Sequence, residues 1–420
     1  DKISRMKIGI ITLGCKVNQY ESDAIGQELT KMGHQVVTKL EPADLYILNT
    51  CAVTSIAEKK SRTNLAKMQK LNPNAKIIVC GCASQNNAQQ FLKHKNVSVV
   101  LGTSGKNKIA NLLSEVGNKT TEMAKEYEYF SSSITSRTRA FLKIQDGCNN
   151  FCTYCLIPYL RGRSRSRDIA DIVREAKELE KTNKEIVLTG IDISDFRADG
   201  KPALKELMLA LSGLSARIRT GSFEVSVIDD SLLQVLASMP NFCPQFHLSM
   251  QSGCDRILKL MNRHYTKEQF LQKVELIRKY FPNCAITTDV IVGFPTETDQ
   301  DFAESVDTIK KAKFFEMHIF PYSSRQGTVA SKMKMVDDKV KAERVKILED
   351  INEIAKKDYI LSQKHNVLTV LTENFENDMI FGHTENYIKI YLPKETPRHQ
   401  FVKVTNLMPY LDGAKADIVD

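Results

Sequence analysis

Apolar residues in the first quarter of the chain fall in short runs separated by stretches of helical spacing. Residues 7–13, 44–49, 76–80 and 97–101 are such runs, rich in Ile, Val and Leu. Runs this short and continuous predict buried strands, as in a parallel sheet covered by helices. Residues 21–32 and 56–71 carry helical spacing between them, and Pro73 stops the second. The pattern predicts a Rossmann-like α/β domain over residues 1–116.

Residues 117–136 are polar, with few aliphatics, and read as a linker. Alternation then resumes. Strands are expected at 140–145, 185–189, 217–223, 245–248 and 285–292, and helices at 169–180, 231–237, 267–279 and 299–311. That repetition predicts a partial (β/α) barrel over 137–363, ending in a long helix at 338–363. Function is then expected at the C-terminal ends of its strands. The tail, 364–420, changes to short runs at 367–371, 379–381, 387–391 and 400–404. These predict a small all-β barrel.

No run of 18 apolar residues occurs, so no membrane helix is expected. The start, Asp1 to Met6, lacks a signal-peptide pattern, and the residues before Met6 read as an extension ahead of a natural start. A cytoplasmic protein is the expectation. Ten cysteines in such a chain read as reduced thiols or metal ligands. The net charge of +9 favours a polyanionic partner, although most such excess is solvated surface.

Cys148, Cys152 and Cys155 form a C-x3-C-x2-C run, with Tyr154 before the last thiol. Three thiolates hold three irons of a [4Fe–4S] cube, leaving the fourth open to the amino and carboxylate groups of S-adenosylmethionine (SAM). A structural zinc site would want a fourth ligand, and no second pair follows at zinc spacing. A redox pair of Cys152 and Cys155 would leave Cys148 unexplained.

Cys15, Cys51 and Cys82 each follow an expected strand of the first domain. The C-terminal ends of parallel strands share one rim, so these thiols should converge there as a second three-cysteine site. Gly14 and Gly81 would let the backbone turn closely around a bulky group. The competing reading is ordinary buried thiols. Cys80 competes with Cys82, which is preferred because it lies past the strand end. Cys243, Cys254 and Cys284 read as structural.

The runs Leu13 to Glu21, Asn49-Thr50-Cys51 and Gly81 to Gln85 resemble the N-terminal domain of methylthiotransferases. Gly147 to Pro158, the arginine-rich run Arg161 to Arg167, and Gly293 to Thr298 resemble their radical-SAM domain. The β-rich tail stands where that family carries a TRAM domain, a small RNA-binding barrel. The resemblance implies two [4Fe–4S] clusters, one held by Cys148, Cys152 and Cys155, and an auxiliary one held by Cys15, Cys51 and Cys82. It implies one SAM for radical generation and another as methyl donor. Lys16 to Glu21 looks most like the MtaB branch, which acts on N6-threonylcarbamoyladenosine at position 37 of tRNA. Sibling branches act on isopentenyladenosine in tRNA or on a ribosomal-protein aspartate. An electron donor such as flavodoxin or ferredoxin is implied, with the sulfur donor unspecified. A rival of another class is an RNA-binding iron–sulfur sensor without turnover.

Further candidates stand at strand ends. The Gly-Gly-Glu motif for the SAM amino group is absent, and backbone carbonyls around Gly190 could replace it. Glu224 could bond a ribose hydroxyl. His247, Ser249 and Gln251 alternate, so they share a face, which points to SAM or substrate contact. Asp289 is a similar candidate for substrate. Arg161, Arg163, Arg165 and Arg167 alternate beyond the cysteine loop, with Arg137 and Arg139 before the same strand. They are expected to contact phosphates of the tRNA anticodon stem-loop or a carboxylate. Phe375, Phe381, Tyr387, Tyr391 and Phe401 of the tail read as core rather than stacking platforms.

Overall fold

The computed structural model describes residues 5–130 and 137–419. Residues 1–4 and part of the expected linker, 131–136, lie outside them. The first domain is a six-stranded parallel sheet in the order Gln35–Val37, Lys7–Thr12, Leu45–Thr50, Lys76–Gly81, Val97–Val100, Gly117–Asn118. Leu45–Thr50 is buried at every position, which accounts for the apolar run Leu45 to Leu48, with Asn49 and Thr50 buried and polar at its end. The outer strands, of three and two residues, are too short to imprint a pattern. Gly117–Asn118 opens the segment expected to be a linker, and Tyr127 further along is buried against the Lys143 carbonyl at 3.0 Å. The segment is therefore partly structural.

The helix Lys16–Lys31 starts five residues before the expected position. Its buried face carries Asn18, Glu21 and Ser22 among Val17, Tyr20 and Ile25, so polar residues hide the amphipathic signal.

Strands of the second domain run parallel in the order Arg139–Lys143, Glu185–Thr189, Arg217–Thr220, and then Ser222–Phe223, Gln245–Gln251, Ala285–Val292, Glu316–Pro321. The chain passes from one ladder to the next at Gly221, giving a single curved, open barrel. Glu316–Pro321 was not expected, because Glu316 and His318 interrupt its apolar positions. The helix Leu204–Leu211 was also missed. Several helix starts carry side-chain caps, including capping boxes at Thr266 and Thr298. The core mixes Leu142, Ile186, Ile218, Leu248, Ile286 and the helix faces over them.

The tail closes as a five-stranded barrel in the order Leu368–Glu376, Met379–His383, Lys389–Leu392, Gly413–Val419, Phe401–Tyr410. Its core of Val370, Ile380, Ile390 and Val404 continues into Phe315 and Ile360 of the second domain. Glu185, fully buried, accepts from Arg217 Nη2 at 2.7 Å and Arg219 Nε at 2.8 Å. The same guanidinia donate to the carbonyls of Thr369, His383, Thr384 and Glu385. Tyr391 is core as expected, but Phe375 is 56% exposed and Phe401 39%. These two lie on the barrel's outer face, beside Arg398 and Lys184.

Candidate active site

The loop Gly147 to Cys155 follows the short strand Gln145–Asp146 at the top of the barrel. Gly147 has φ +75°, and a Cβ there would stand 2.0 Å from the Arg163 carbonyl oxygen. Only glycine fits both constraints. The loop is tied down by Cys148 N–H on Gly162 O (3.1 Å) and Thr153 N–H on Met261 O (3.1 Å). Asn262 Nδ2 donates to the carbonyls of Asn150 and Phe151. Each thiol receives a donor. Asn150 N–H reaches Cys148 Sγ (3.4 Å), Ile157 N–H reaches Cys155 Sγ (3.4 Å), and Arg263 Nη1 reaches Cys152 Sγ (3.5 Å). Burial pushes the free Cys148 and Cys155 thiols up to about 12. A thiolate here needs a bound cation, while the N–H donors suit sulfurs carrying negative charge, so the loop fits an iron–sulfur group.

Cys15, Cys51 and Cys82 follow three adjacent strands, Lys7–Thr12, Leu45–Thr50 and Lys76–Gly81. Gly14 (φ +94°) passes so close that a Cβ would meet Cys51 Sγ at 2.6 Å. Cys15, Cys51 and Cys82 feel one another electrostatically, and burial raises Cys51 to about 11. Cys80 is fully buried in a different core cluster, with Ile8, Ile47 and Val99, whereas Cys82 packs in the cluster that holds Leu156 and Leu160. Cys243, Cys254 and Cys284 are buried and free. The two triads are neighbours across the domain boundary: the helix Ile157–Arg161, just past Cys155, packs on the helix Cys82–Asn86, and Leu156 and Leu160 enter the first domain's core.

A buried ionic knot spans the domain boundary. Arg161 Nη1 meets Asp146 at 3.0 Å and Glu21 at 3.2 Å, and its Nη2 meets Asn18 Oδ1 at 2.6 Å. Lys143 bonds Glu21 and Asp146, and Lys106 bonds Glu21. Burial alone would raise the Glu21 carboxyl, but Arg161, Lys106 and Lys143 hold it well below the usual range.

This placement corrects the reading of the arginine run as a row of phosphate contacts. Arg161 is 1% exposed and committed to the knot. Arg167 is buried on Asp171 and Glu175. Arg165 donates to the carbonyls of Arg161 and Arg163. Arg163 alone of the four is exposed, with its guanidinium 4.3 Å from the Phe151 ring centroid. The four do not form one solvated face: Arg161 ends the helix Ile157–Arg161, and only Arg165 of the four lies on a strand, Arg165–Ser166. Arg137 meets Asp23, and Arg139 meets Tyr387 and Glu373.

On the barrel side, Tyr154 packs edge-on to Phe294. Gly190 stands against Gln145, whose Oε1 accepts from the N–H groups of Ile191 (3.0 Å) and Asp192 (2.8 Å). Glu224 pairs with Arg263, which also donates to the Ser249 carbonyl at 3.0 Å. His247, Ser249 and Gln251 do share the half-buried inner face of their strand. Asp289 sits between His247 Nε2 and His318 Nδ1, each at 3.1 Å, and the two rings stack. Reasoning from sequence missed His318, Arg263 and Asp192. His318 lies on the unrecognised strand, and no local pattern marks the others.

A model of the radical SAM superfamily matches residues 142–309, and one described as uncharacterized protein family UPF0004 matches 7–102. The chain is 38% identical over 434 residues to the threonylcarbamoyladenosine tRNA methylthiotransferase MtaB of Bacillus subtilis (strain 168), covering 97% of this chain and 96% of that protein. It is 37% identical to the MtaB of Aquifex aeolicus (strain VF5), covering 92% and 96%. It is also 37% identical to a tRNA-2-methylthio-N(6)-dimethylallyladenosine synthase of Alkaliphilus oremlandii, covering 83% and 78%. Among solved structures, the radical SAM methyltransferase TsrM of Kitasatospora setae shares the fold, with a TM-score of 0.58 at 14% identity over 78% of this chain and 75% of that one. Identity this high over nearly the whole length is descent, and the chain belongs to the methylthiotransferase family of radical-SAM enzymes.

Proposed function

We propose that this protein converts N6-threonylcarbamoyladenosine at position 37 of tRNA to its 2-methylthio derivative. The observation that carries the reading is the pair of cysteine triads brought together across the domain boundary, where the helix that follows Cys155 packs on the helix that begins at Cys82. Cys148, Cys152 and Cys155 would hold the SAM-binding cluster, and Cys15, Cys51 and Cys82 the auxiliary one. Bound there, the clusters and SAM supply the radical, the sulfur and the methyl group that an aromatic C–H bond requires. Gly190, Glu224, Ser249 and Gln251 line the SAM side, with Tyr154 behind the loop. The ionic knot of Glu21, Arg161 and Asp146 locks the two domains so that the triads keep their separation and water stays out.

RNA would approach from the open rim. Arg163 on Phe151 is placed for a phosphate or a base, and Phe375 and Phe401 with neighbouring cations suit an anticodon stem-loop. A flavodoxin- or ferredoxin-like donor would supply electrons, in the cytoplasm. Among the described residues no helix is long and apolar enough to cross a membrane.

Mass spectrometry of tRNA nucleosides with and without the gene tests this. The methylthio form of threonylcarbamoyladenosine should disappear and its precursor accumulate. Loss of the isopentenyl product instead would refute the substrate. In purified protein, Cys152→Ala should abolish SAM cleavage, while Cys51→Ala should keep 5′-deoxyadenosine formation and stop sulfur insertion. Full product from Cys51→Ala would remove it from the auxiliary site.

A further inference from the structure

His247, Asp289 and His318 come from three neighbouring strands, Gln245–Gln251, Ala285–Val292 and Glu316–Pro321. Asp289 is the register partner of His318, and His247 is that of Thr287, two residues back from Asp289. Alternation puts the three side chains on one face. His247 Nε2 and His318 Nδ1 each stand 3.1 Å from a different oxygen of the Asp289 carboxylate, and all these ligand atoms lie within 4.8 Å of one another. Two imidazoles and one carboxylate are a donor set that holds zinc or iron(II) while leaving coordination positions open. With bonds of about 2.1 Å, adjacent ligand atoms stand about 3.0 Å apart in an octahedral site and about 3.4 Å apart in a tetrahedral one. The observed 3.1 Å lies between these.

The surroundings fit a metal as well. Thr287 Oγ1 accepts from Gln245 Nε2 at 3.1 Å and stands 2.9 Å from His247 Nδ1. A hydroxyl has two acceptor lone pairs, so it can accept from Nδ1–H too, leaving the Nε2 lone pair aimed at Asp289. Outer partners of this kind orient metal-bound histidines. Burial alone would raise the Asp289 carboxyl, but the two histidines hold it well below the usual range, so the carboxylate is anionic at neutral pH. His318 is half exposed, which gives an ion a path in from solvent. None of the three residues belongs to either cysteine triad. We propose that His247, Asp289 and His318 bind one divalent transition-metal ion of the zinc or iron(II) class, with Thr287 orienting His247. The open positions on that ion take water or an oxygen of a bound substrate.

The test is anaerobic calorimetric titration of zinc chloride into the reconstituted enzyme, with elemental analysis of each sample beforehand. Samples are matched for iron and sulfide per chain, so that vacated cysteines add no zinc sites. Wild type should carry one metal ion per chain beyond the clusters, either retained through purification or taken up as zinc. His318→Ala and Asp289→Asn should each lose that ion or weaken its binding by more than about a hundredfold, and Thr287→Val should weaken it by about ten- to a hundredfold, the effect of losing an outer partner. Because the His318 ring is half exposed, its removal spares the core, and it carries the comparison should Asp289→Asn load its clusters poorly. His365→Ala, on an exposed histidine elsewhere, should change nothing. A cluster-loaded wild type that neither retains nor takes up the extra ion would overturn the site. So would binding that survives His318→Ala, or binding that His365→Ala weakens as much.

Discussion

Replacing Glu185 with Gln removes the one anion shared by Arg217 and Arg219 while keeping the side chain's shape. Both carboxylate oxygens are engaged, at 2.7 to 3.2 Å, and Glu185 has no exposed surface. Breaking a buried pair by removing one partner costs about 3–5 kcal/mol, because the other charge is left uncompensated. A second route gives a similar figure. Burial alone would raise the Glu185 carboxyl, but Arg219 and Arg217 lower it from 4.5 to about 2. That difference is worth about 3 kcal/mol at about 1.4 kcal/mol per pKa unit. The sign follows from a depressed carboxylate. Its contribution is complete above about 4.5 and is lost as pH falls towards 2. Urea unfolding of wild type and Glu185→Gln, followed by circular dichroism and by hydrogen exchange in Leu368–Glu376, should therefore differ by about 3 kcal/mol at pH 7. The gap should close as the pH drops, because protonated Glu and Gln are alike. The exchange loss should concentrate in the tail barrel, since these arginines hold its backbone carbonyls. A difference below about 0.5 kcal/mol at neutral pH, within the range of an ordinary surface substitution, would refute the reasoning. So would a gap that stays constant with pH.

Gly147→Ala should cost the loop its cluster, since the Cβ collides with the Arg163 carbonyl. Iron and sulfide per chain should fall to the complement of one cluster, and a full complement would contradict the loop geometry. Arg161→Met should destabilise the protein by about 3 kcal/mol with partial recovery in Arg161→Lys, read by chemical denaturation, whereas an unchanged midpoint would deny the knot its locking role. For Arg163→Ala, the slope of log affinity for tRNA against log salt should shrink by about 0.7, the value of one single-strand phosphate contact. Arg167→Ala should leave that slope alone and lower stability; the reverse pattern would mean the exposed and buried arginines have been assigned the wrong way round.

Local sequence determined the elements whose periodicity is clean, and the chemistry whose spacing is short. Leu45–Thr50 and Ala285–Val292 are visible because buried parallel strands draw on short runs rich in Ile, Val and Leu, even where Asn49 or Thr287-Thr288-Asp289 interrupts them. Cys148, Cys152 and Cys155 are visible because a loop closing on one cluster needs its ligands a few residues apart. Even the distant Cys15, Cys51 and Cys82 could be grouped, since parallel strands place their C-terminal ends on one rim. What remained hidden depends on charges brought together from far along the chain. Glu21 lies in a helix face whose burial only Lys106, Lys143 and Arg161 make tolerable, so neither the helix start nor the role of Arg161 could be read locally. The four alternating arginines look equivalent in sequence, and only packing separates the buried Arg161 and Arg167 from the exposed Arg163. Glu21 and Arg161 meet because the first domain docks on the second. The pairing state of a charge depends on neighbours in space, and only the tertiary structure decided those neighbours.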